Sequence, residues 1–326
     1  MCTGYGQRLA AALTYARLSL SLTTKQRKQA MEKPNPNRKL PTIWEIPEAL
    51  WCIIRKILRN AYPTKKRGRP RSCFRMILNA IIYRVRSGVQ WNYLPRELGD
   101  DSTTHRWFQR WCEDGIFEKI WAVLVERCQE LGAVDWQWQA VDGRMGKARF
   151  GGDKVGRNPT DRGKPGTKIS LATEAGGGPI GIALAGANVN DFKLLAQTLD
   201  AIVVARPQPT PEAPQHLCLD KGYDNPTGHM VTAAAGYIPH IRRIGEEKLD
   251  ENREKKYPAR RWVVERTLAW LSKCRAILIR YDKNWKNYLG SLQFACALLW
   301  FRRLHMRSKN FENWGVWLTQ VCTMPC

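Results

Sequence analysis

The chain has 326 residues, 44% of them hydrophobic, enough for one large core and a small accessory domain. Its 53 Lys and Arg against 29 Asp and Glu leave a formal net charge of +24, which is best tolerated beside a polyanion. Nucleic acid is the expected partner, ahead of an anionic membrane surface or no partner at all. The absence of an apolar run of about 18 residues argues against a membrane span. Ten scattered cysteines with no C-x-x-C pair argue against structural zinc and for a reducing cytosol.

Residues 1–43 read as a leader and linker, with 34–43 rich in Pro, Asn, Lys and Arg. The spacing of Leu50, Trp51, Ile54 and Leu58 predicts a helix over 46–60. A basic Gly/Pro-broken stretch follows. Its Arg67 and Arg69 either lie along a DNA minor groove or sit on a surface loop that touches phosphates. Met76, Ile77, Ala80, Ile81 and Val85 predict a second helix over 74–86. After Gly88 a short element opens near Pro95 and stops at Gly99. Asp101 or Ser102 then caps a third helix over 103–112, which buries Trp107, Phe108 and Trp111. Arg106, Gln109 and Arg110 point away from that side. The succession is helix-turn-helix-like and makes these three candidate DNA contacts. A further helix over 117–131 completes a helical DNA-binding domain, 44–131. A second, larger domain is then expected over 132–308 and a C-terminal tail over 309–326.

Alternation over 134–142 predicts a strand that ends at Asp142 and Gly143. The glycine-rich, basic stretch 144–168 is expected to be a loop. It is either a phosphate-binding loop, through backbone N–H groups and cations such as Arg157, Arg162, Lys164 and Lys168, or a solvated insertion. Residues 168–174 and 179–185 form a hairpin across Gly176, Gly177 and Gly178. Asp191 is expected to cap a helix over 192–204. Residues 216–220 are a short buried strand ending in Asp220, followed by a turn, a helix to about 235 and a strand over 238–244. One long amphipathic helix is expected over 257–275, opened by Pro258 and striped by Val264, Leu268 and Leu271. Arg261, Glu265, Ser272 and Lys273 lie on or near one face of it. A last, largely apolar helix spans 285–304. This order predicts an α/β fold, a mixed sheet with helices packed on it.

If the strands ending in Asp142 and Asp220 are neighbours, both acids emerge at one end of the sheet and Glu265 can reach them. Three convergent carboxylates repel unless cations neutralise them, and hard oxygen donors suit Mg²⁺ or Mn²⁺. Two such ions ~4 Å apart can activate an attacking oxygen and stabilise a leaving one at phosphorus. Asp142 would bridge both ions, and Asp220 and Glu265 would each hold one. Arg260, Arg261 and Lys273 would hold DNA phosphates alongside. A solvated helix with i,i+4 charge pairs is the other reading of Glu265.

Three stretches in order resemble the DDE transposases of bacterial insertion sequences, most closely insertion-sequence family 5. They are Val141, Asp142 and Gly143; Cys218 to Asp224 around Asp220; and Arg260 to Leu271 around Glu265, continuing through Arg280, Tyr281, Asp282 and Lys283. The resemblance covers roughly residues 45–305. It implies an RNase H-like catalytic domain and Mg²⁺-dependent cleavage at the terminal inverted repeats of an insertion sequence. It further implies joining of the 3′-OH ends to target DNA. Double-stranded DNA would be the partner, the active complex at least a homodimer, and the setting the bacterial cytosol. The family pattern also carries Tyr, Arg and Lys around the glutamate. Here Tyr257 stands one residue further upstream than the commonest form, and Ser272 stands where the lysine is expected, with Lys273 next to it. A transposase-derived DNA-binding protein without cleavage, and a metal-dependent nuclease without strand transfer, are the rival readings.

Overall fold

The computed structural model describes residues 43–64, 70–241 and 260–308, all within a unit that begins at Ile43. Four helices open it: α1 Glu48–Ala61, α2 Phe74–Ser87, α3 Asp101–Glu113 and α4 Ile116–Glu130. Gly88 ends α2 in the left-handed region at φ 70°, with its N–H on the Arg84 carbonyl. The connection to α3 holds two 3-10 turns, Trp91–Tyr93 and Arg96–Leu98. The cap of α3 is Asp100, one residue before the expected Asp101. Asp100 has extended backbone and its carboxylate accepts the Thr103 N–H at 2.7 Å. Asp101 thereby falls in the first turn, where its charge suits the positive helix end.

The sheet comprises β1 Trp138–Ala148, β2 Gly156–Arg157, β3 Pro165–Glu174, β4 Pro179–Gly186, β5 His216–Leu219, β6 Ile238–Ile241 and β7 Ile279–Arg280. Its order is β4-β3-β1-β5-β6, with β2 on β3 and β7 on β1. β3 is antiparallel to both of its neighbours, β1 and β4, while β5 runs parallel to β1 and β6 parallel to β5. Three antiparallel strands continued by two parallel ones across the first strand is the RNase H-like arrangement.

β1 does not stop at Asp142 and Gly143 as expected. Its ladder with β3 runs on to Lys147 opposite Gly166. The glycines that read as loop signals mark close approaches instead. A Cβ on Gly143 would lie 1.9 Å from Asp191 Oδ1, and one on Gly166 would lie 3.1 Å from the Gly146 carbonyl. The basic stretch is also tied into the sheet, because β2 pairs with the start of β3.

The remaining helices are α5 Asp191–Asp200, α6 Pro226–Ala234, α7 Trp262–Leu271, α8 Arg275–Leu278 and α9 Trp285–Ser308. α5 is shorter than expected and Asn190, not Asp191, is its N-cap residue; Asp191 lies in the first turn. α7 is shorter too: it ends at Leu271, and extended backbone at Cys274 separates it from α8. Residues 242–244 and 257–259 of the expected strand and helix lie outside the described residues. α9 buries Tyr288, Phe294, Cys296 and Trp300 between α4 and the sheet. The indoles of Trp121 on α4 and Trp300 on α9 both donate to the Pro179 carbonyl, at 3.0 and 2.6 Å. Among the described residues no helix is long and apolar enough to cross a membrane.

Candidate active site

β1 and β5 lie in parallel register, Trp138 with His216, Gln139 with Leu217 and Ala140 with Cys218. Two residues further along each chain stand Asp142 and Asp220, so the register brings the two acids to the same level. Strand alternation turns Gly143 toward Asp191 on α5 and Asp142 to the opposite face, the side of Arg260 and α7. The Asp142 carboxylate accepts the Gly143 N–H at 2.7 Å. Asp220 caps the turn Lys221–Tyr223, accepting the Lys221 N–H at 2.8 Å.

Arg261 stands one helical turn before Glu265 and joins the two remaining acids. Its Nη1 lies 2.8 Å from Asp220 Oδ1 and its Nη2 3.0 Å from Glu265 Oε1. Burial pushes the Asp142 carboxyl up to about 6, and the charges of Glu265 and Asp220 add to the rise. The Gly143 N–H and the Arg261 guanidinium oppose it. Asp142 is thus a desolvated acid short of positive charge, in electrostatic contact with both other acids. Burial, followed by the charges of Asp191, Asp142 and Asp220, also holds the Tyr223 phenol well above its ordinary value.

The donor set is three hard carboxylates, which suits Mg²⁺ or Mn²⁺. As the side chains stand, no three His, Cys, Asp or Glu among the described residues are close enough to hold an ion. The place between Asp220 and Glu265 is taken by the Arg261 guanidinium. Each of these three side chains keeps over 40% of its surface in solvent. Exposed ion pairs are worth only ~0–1 kcal/mol, so the guanidinium is displaceable and the acids fit a divalent cation once it withdraws.

Two further charged residues frame the acids. Arg144 lies two residues beyond Asp142, hence on the same face of β1, and its Nη1 donates to Ser272 Oγ. A cation therefore reaches the Ser272 position from the neighbouring strand. On the other face, Lys168 is buried and its Nζ lies 2.8 Å from Asp191 Oδ2, while Asp191 Oδ1 is buried without a partner. Strand alternation could have revealed Arg144 had β1 been carried past Gly143. Nothing local revealed the Lys168–Asp191 pair, which the pairing of β3 and the start of α5 create.

The other expected contacts are dispersed. Arg260 stacks on Trp138 at 4.7 Å beside the acids, and Lys273 is exposed just past α7. Arg157, Arg162 and Lys164 are exposed around β2, at the far end of β1. That is about 17 Å along the strand from Asp142, at ~3.3 Å per residue. Lys168 turns inward to Asp191 rather than outward. Arg106, Gln109 and Arg110 are exposed on α3, with Arg110 over Tyr62 and Trp107 and 3.6 Å from Asp114. Arg67, Arg69 and Tyr257 lie outside the described residues.

Comparison with known proteins identifies the family. The family described as "Transposase DDE domain" matches residues 126–300, and the one described as "Putative transposase of IS4/5 family" matches residues 46–121. The "Putative transposase for insertion sequence element IS402" of Burkholderia cepacia is 36% identical over 165 residues, covering 50% of this chain and 75% of that protein. The "Insertion element IS402 uncharacterized 16.2 kDa protein" of the same organism is 26% identical over 118 residues, 35% of this chain and 80% of that protein. A structure of the Mos1 mariner paired end complex with Mn aligns over 94% of this chain and 99% of its own, at 10% identity and a TM-score of 0.24. By the length of the first match and the identity of the first relative, the chain belongs to the DDE-domain transposases of the IS4/5 type.

Proposed function

We propose that the chain binds the terminal inverted repeats of its insertion sequence, cleaves DNA at the element ends and joins the freed 3′-OH ends to target DNA. Asp142, Asp220 and Glu265 carry the chemistry. The observation behind this reading is the shared level of Asp142 and Asp220 across β1 and β5, with Glu265 drawn to them through Arg261. Asp142, Asp220 and Glu265 would hold Mg²⁺ or Mn²⁺, which would supply Lewis-acid activation of the attacking and leaving oxygens.

The chain's own residues perform the rest. Asp142, kept short of positive charge by burial, gives the site its appetite for cations. Arg261 balances Asp220 and Glu265 before loading and is then free to meet the scissile phosphate. Arg144, Arg260 and Lys273 line the path of the phosphate backbone beside the acids, and Tyr257 is the further DNA contact that the sequence assigns. Arg67, Arg69, Arg106, Gln109 and Arg110 belong to an end-binding helical region, residues 44–131. Arg157, Arg162 and Lys164 form a second phosphate track, with Lys168 holding Asp191 beneath it. Bringing two element ends together calls for a homodimer in the active complex, working in the bacterial cytosol.

Nicking of a DNA fragment that carries the element's own ends tests this reading, comparing the wild-type chain with Glu265→Gln in Mg²⁺. The substitution keeps size and removes charge. Nicking should fall at least a hundredfold while DNA binding persists, and strand-transfer products should disappear with it. Nicking that survives places the chemistry on another element. Wild-type binding without nicking makes the chain a DNA-binding protein, and nicking without joined products makes it a nuclease.

A further inference from the structure

The exposed side of α7 carries a second feature beside Glu265. Trp262, Arg266 and Trp270 are spaced four residues apart and form one ladder along the helix. The Arg266 guanidinium lies between the two indoles, 4.6 Å from the Trp262 ring and 4.8 Å from the Trp270 ring. Its Nη2 also donates to the Gly176 carbonyl of the β3–β4 turn at 2.8 Å, so the stack is anchored to the sheet. The indoles nevertheless remain 53% and 38% exposed. The buried side of the helix is carried by Val263, Val264, Thr267, Leu268 and Leu271, so neither tryptophan serves the core. Two large aromatic faces held rigid in solvent around a cation are costly for a surface with no partner.

We propose that this ladder is a stacking platform for DNA bases exposed by cleavage, next to Glu265; the inference rests on the transposase reading above. The inner face of each indole is occupied by Arg266, and what stays exposed is rigid aromatic surface of the kind on which bases stack. A duplex covers its base faces. The platform therefore favours a strand whose bases are unpaired, such as a frayed or tailed end, over intact double helix. The charge has the right sign: Arg266 sits in the ladder, Lys273 is exposed just past the end of α7, and the helix's own acid, Glu265, is paired with Arg261. A second copy of the chain fits less well. A ladder one side chain wide falls far short of the ~800 Å² per partner that a standard protein interface needs.

The experiment is fluorescence anisotropy with two labelled DNAs of one sequence, a blunt duplex and a duplex with a single-stranded tail. The full chain and its Trp262→Ala/Trp270→Ala variant are compared without divalent metal. The variant should bind the tailed DNA about tenfold more weakly and the blunt duplex within about twofold of wild type. Trp262→Phe/Trp270→Phe, which keeps flat rings, should recover most of the tailed-DNA affinity, and thermal melting of all three proteins controls for folding. Equal losses on both DNAs, or no loss on either, overturn the platform. A change in sedimentation behaviour with unchanged DNA binding makes the ladder a protein contact and overturns it as well. Wild-type protein that binds neither DNA defeats the transposase reading instead, so the two failures are distinct.

Discussion

At the scale of residues, the three candidate acids differ in what the fold does to them. Asp220 and Glu265 share a guanidinium and stay open to water, whereas Asp142 is desolvated and its carboxyl rises from an ordinary 3.8 to about 6. The folded chain thus binds a proton at Asp142 that the unfolded chain has already lost between those values. Stability must fall as pH rises through that window, and the penalty is complete above pH 6. The rise corresponds to about 3 kcal/mol. Asp142→Asn should therefore stabilise the metal-free protein by ~2–3 kcal/mol at pH 8 and by little at pH 4, as read by urea unfolding at both values. Added Mg²⁺ should stabilise the wild type at pH 8 and leave the variant nearly unchanged. A variant whose stability tracks the wild type at both pH values would show that Asp142 is not the strained acid.

At the scale of elements, the helices owe their limits to particular caps and the strands to their partners. Asp100 satisfies the Thr103 N–H at the start of α3, and its replacement by alanine should cost about 1 kcal/mol. Asp101→Ala, one residue on, should cost less, since that carboxylate serves only the first turn. Chemical denaturation of the two variants separates the roles, and equal losses would put the cap back at Asp101. The apolar stripes of α1, α2 and α7 were legible in the sequence because each buries one face: Ile54, Ile81, Val264 and Leu268 are all core residues. β1 was legible only in its first half. Beyond Asp142 its glycines and cations mimic a loop, and the β3 partners that make it a strand, Ser170 back to Gly166, lie far along the chain. The end of α7 was likewise invisible, since Ser272 and Lys273 extend the helical pattern that the backbone abandons at Cys274.

At the scale of the whole molecule, the helical region and the sheet are joined by a charged pair in the interior. Arg84 on α2 donates to both oxygens of Asp282 at 3.0 and 3.1 Å, with both side chains nearly fully buried. Asp282 directly follows Arg280 and Tyr281 in the third stretch of family resemblance. Arg280 is itself buried and donates to the Asp282 carbonyl, Thr167 and the Lys283 carbonyl. Removing one member of a buried pair strands the other, at a cost of about 3–5 kcal/mol. Asp282→Ala should lower stability by that amount, whereas Arg84→Met/Asp282→Leu should recover most of the loss, with both effects read in denaturant melts. A single-variant cost below about 1 kcal/mol would mean that the pair is solvated and does not couple the two parts.

The sequence by itself determined the basic character of the protein and the order of its elements, and it singled out three candidate acids. Charge, apolar periodicity and strand-terminal carboxylates are local properties that survive without a fold, and three family motifs in order compounded them. It could not determine which charges stand next to those acids. Strand alternation and helix periodicity tell which face a side chain takes, but not what the opposite element presents to it. Only the tertiary structure placed Arg261 between Asp220 and Glu265, sent Lys168 inward to Asp191 and brought Arg144 to Ser272. It also left Trp262 and Trp270 in solvent, although their residue type alone would assign them to the core. Each of these contacts joins residues through the packing of separate elements or through the choice of which helix face is covered, and that choice belongs to the assembled sheet.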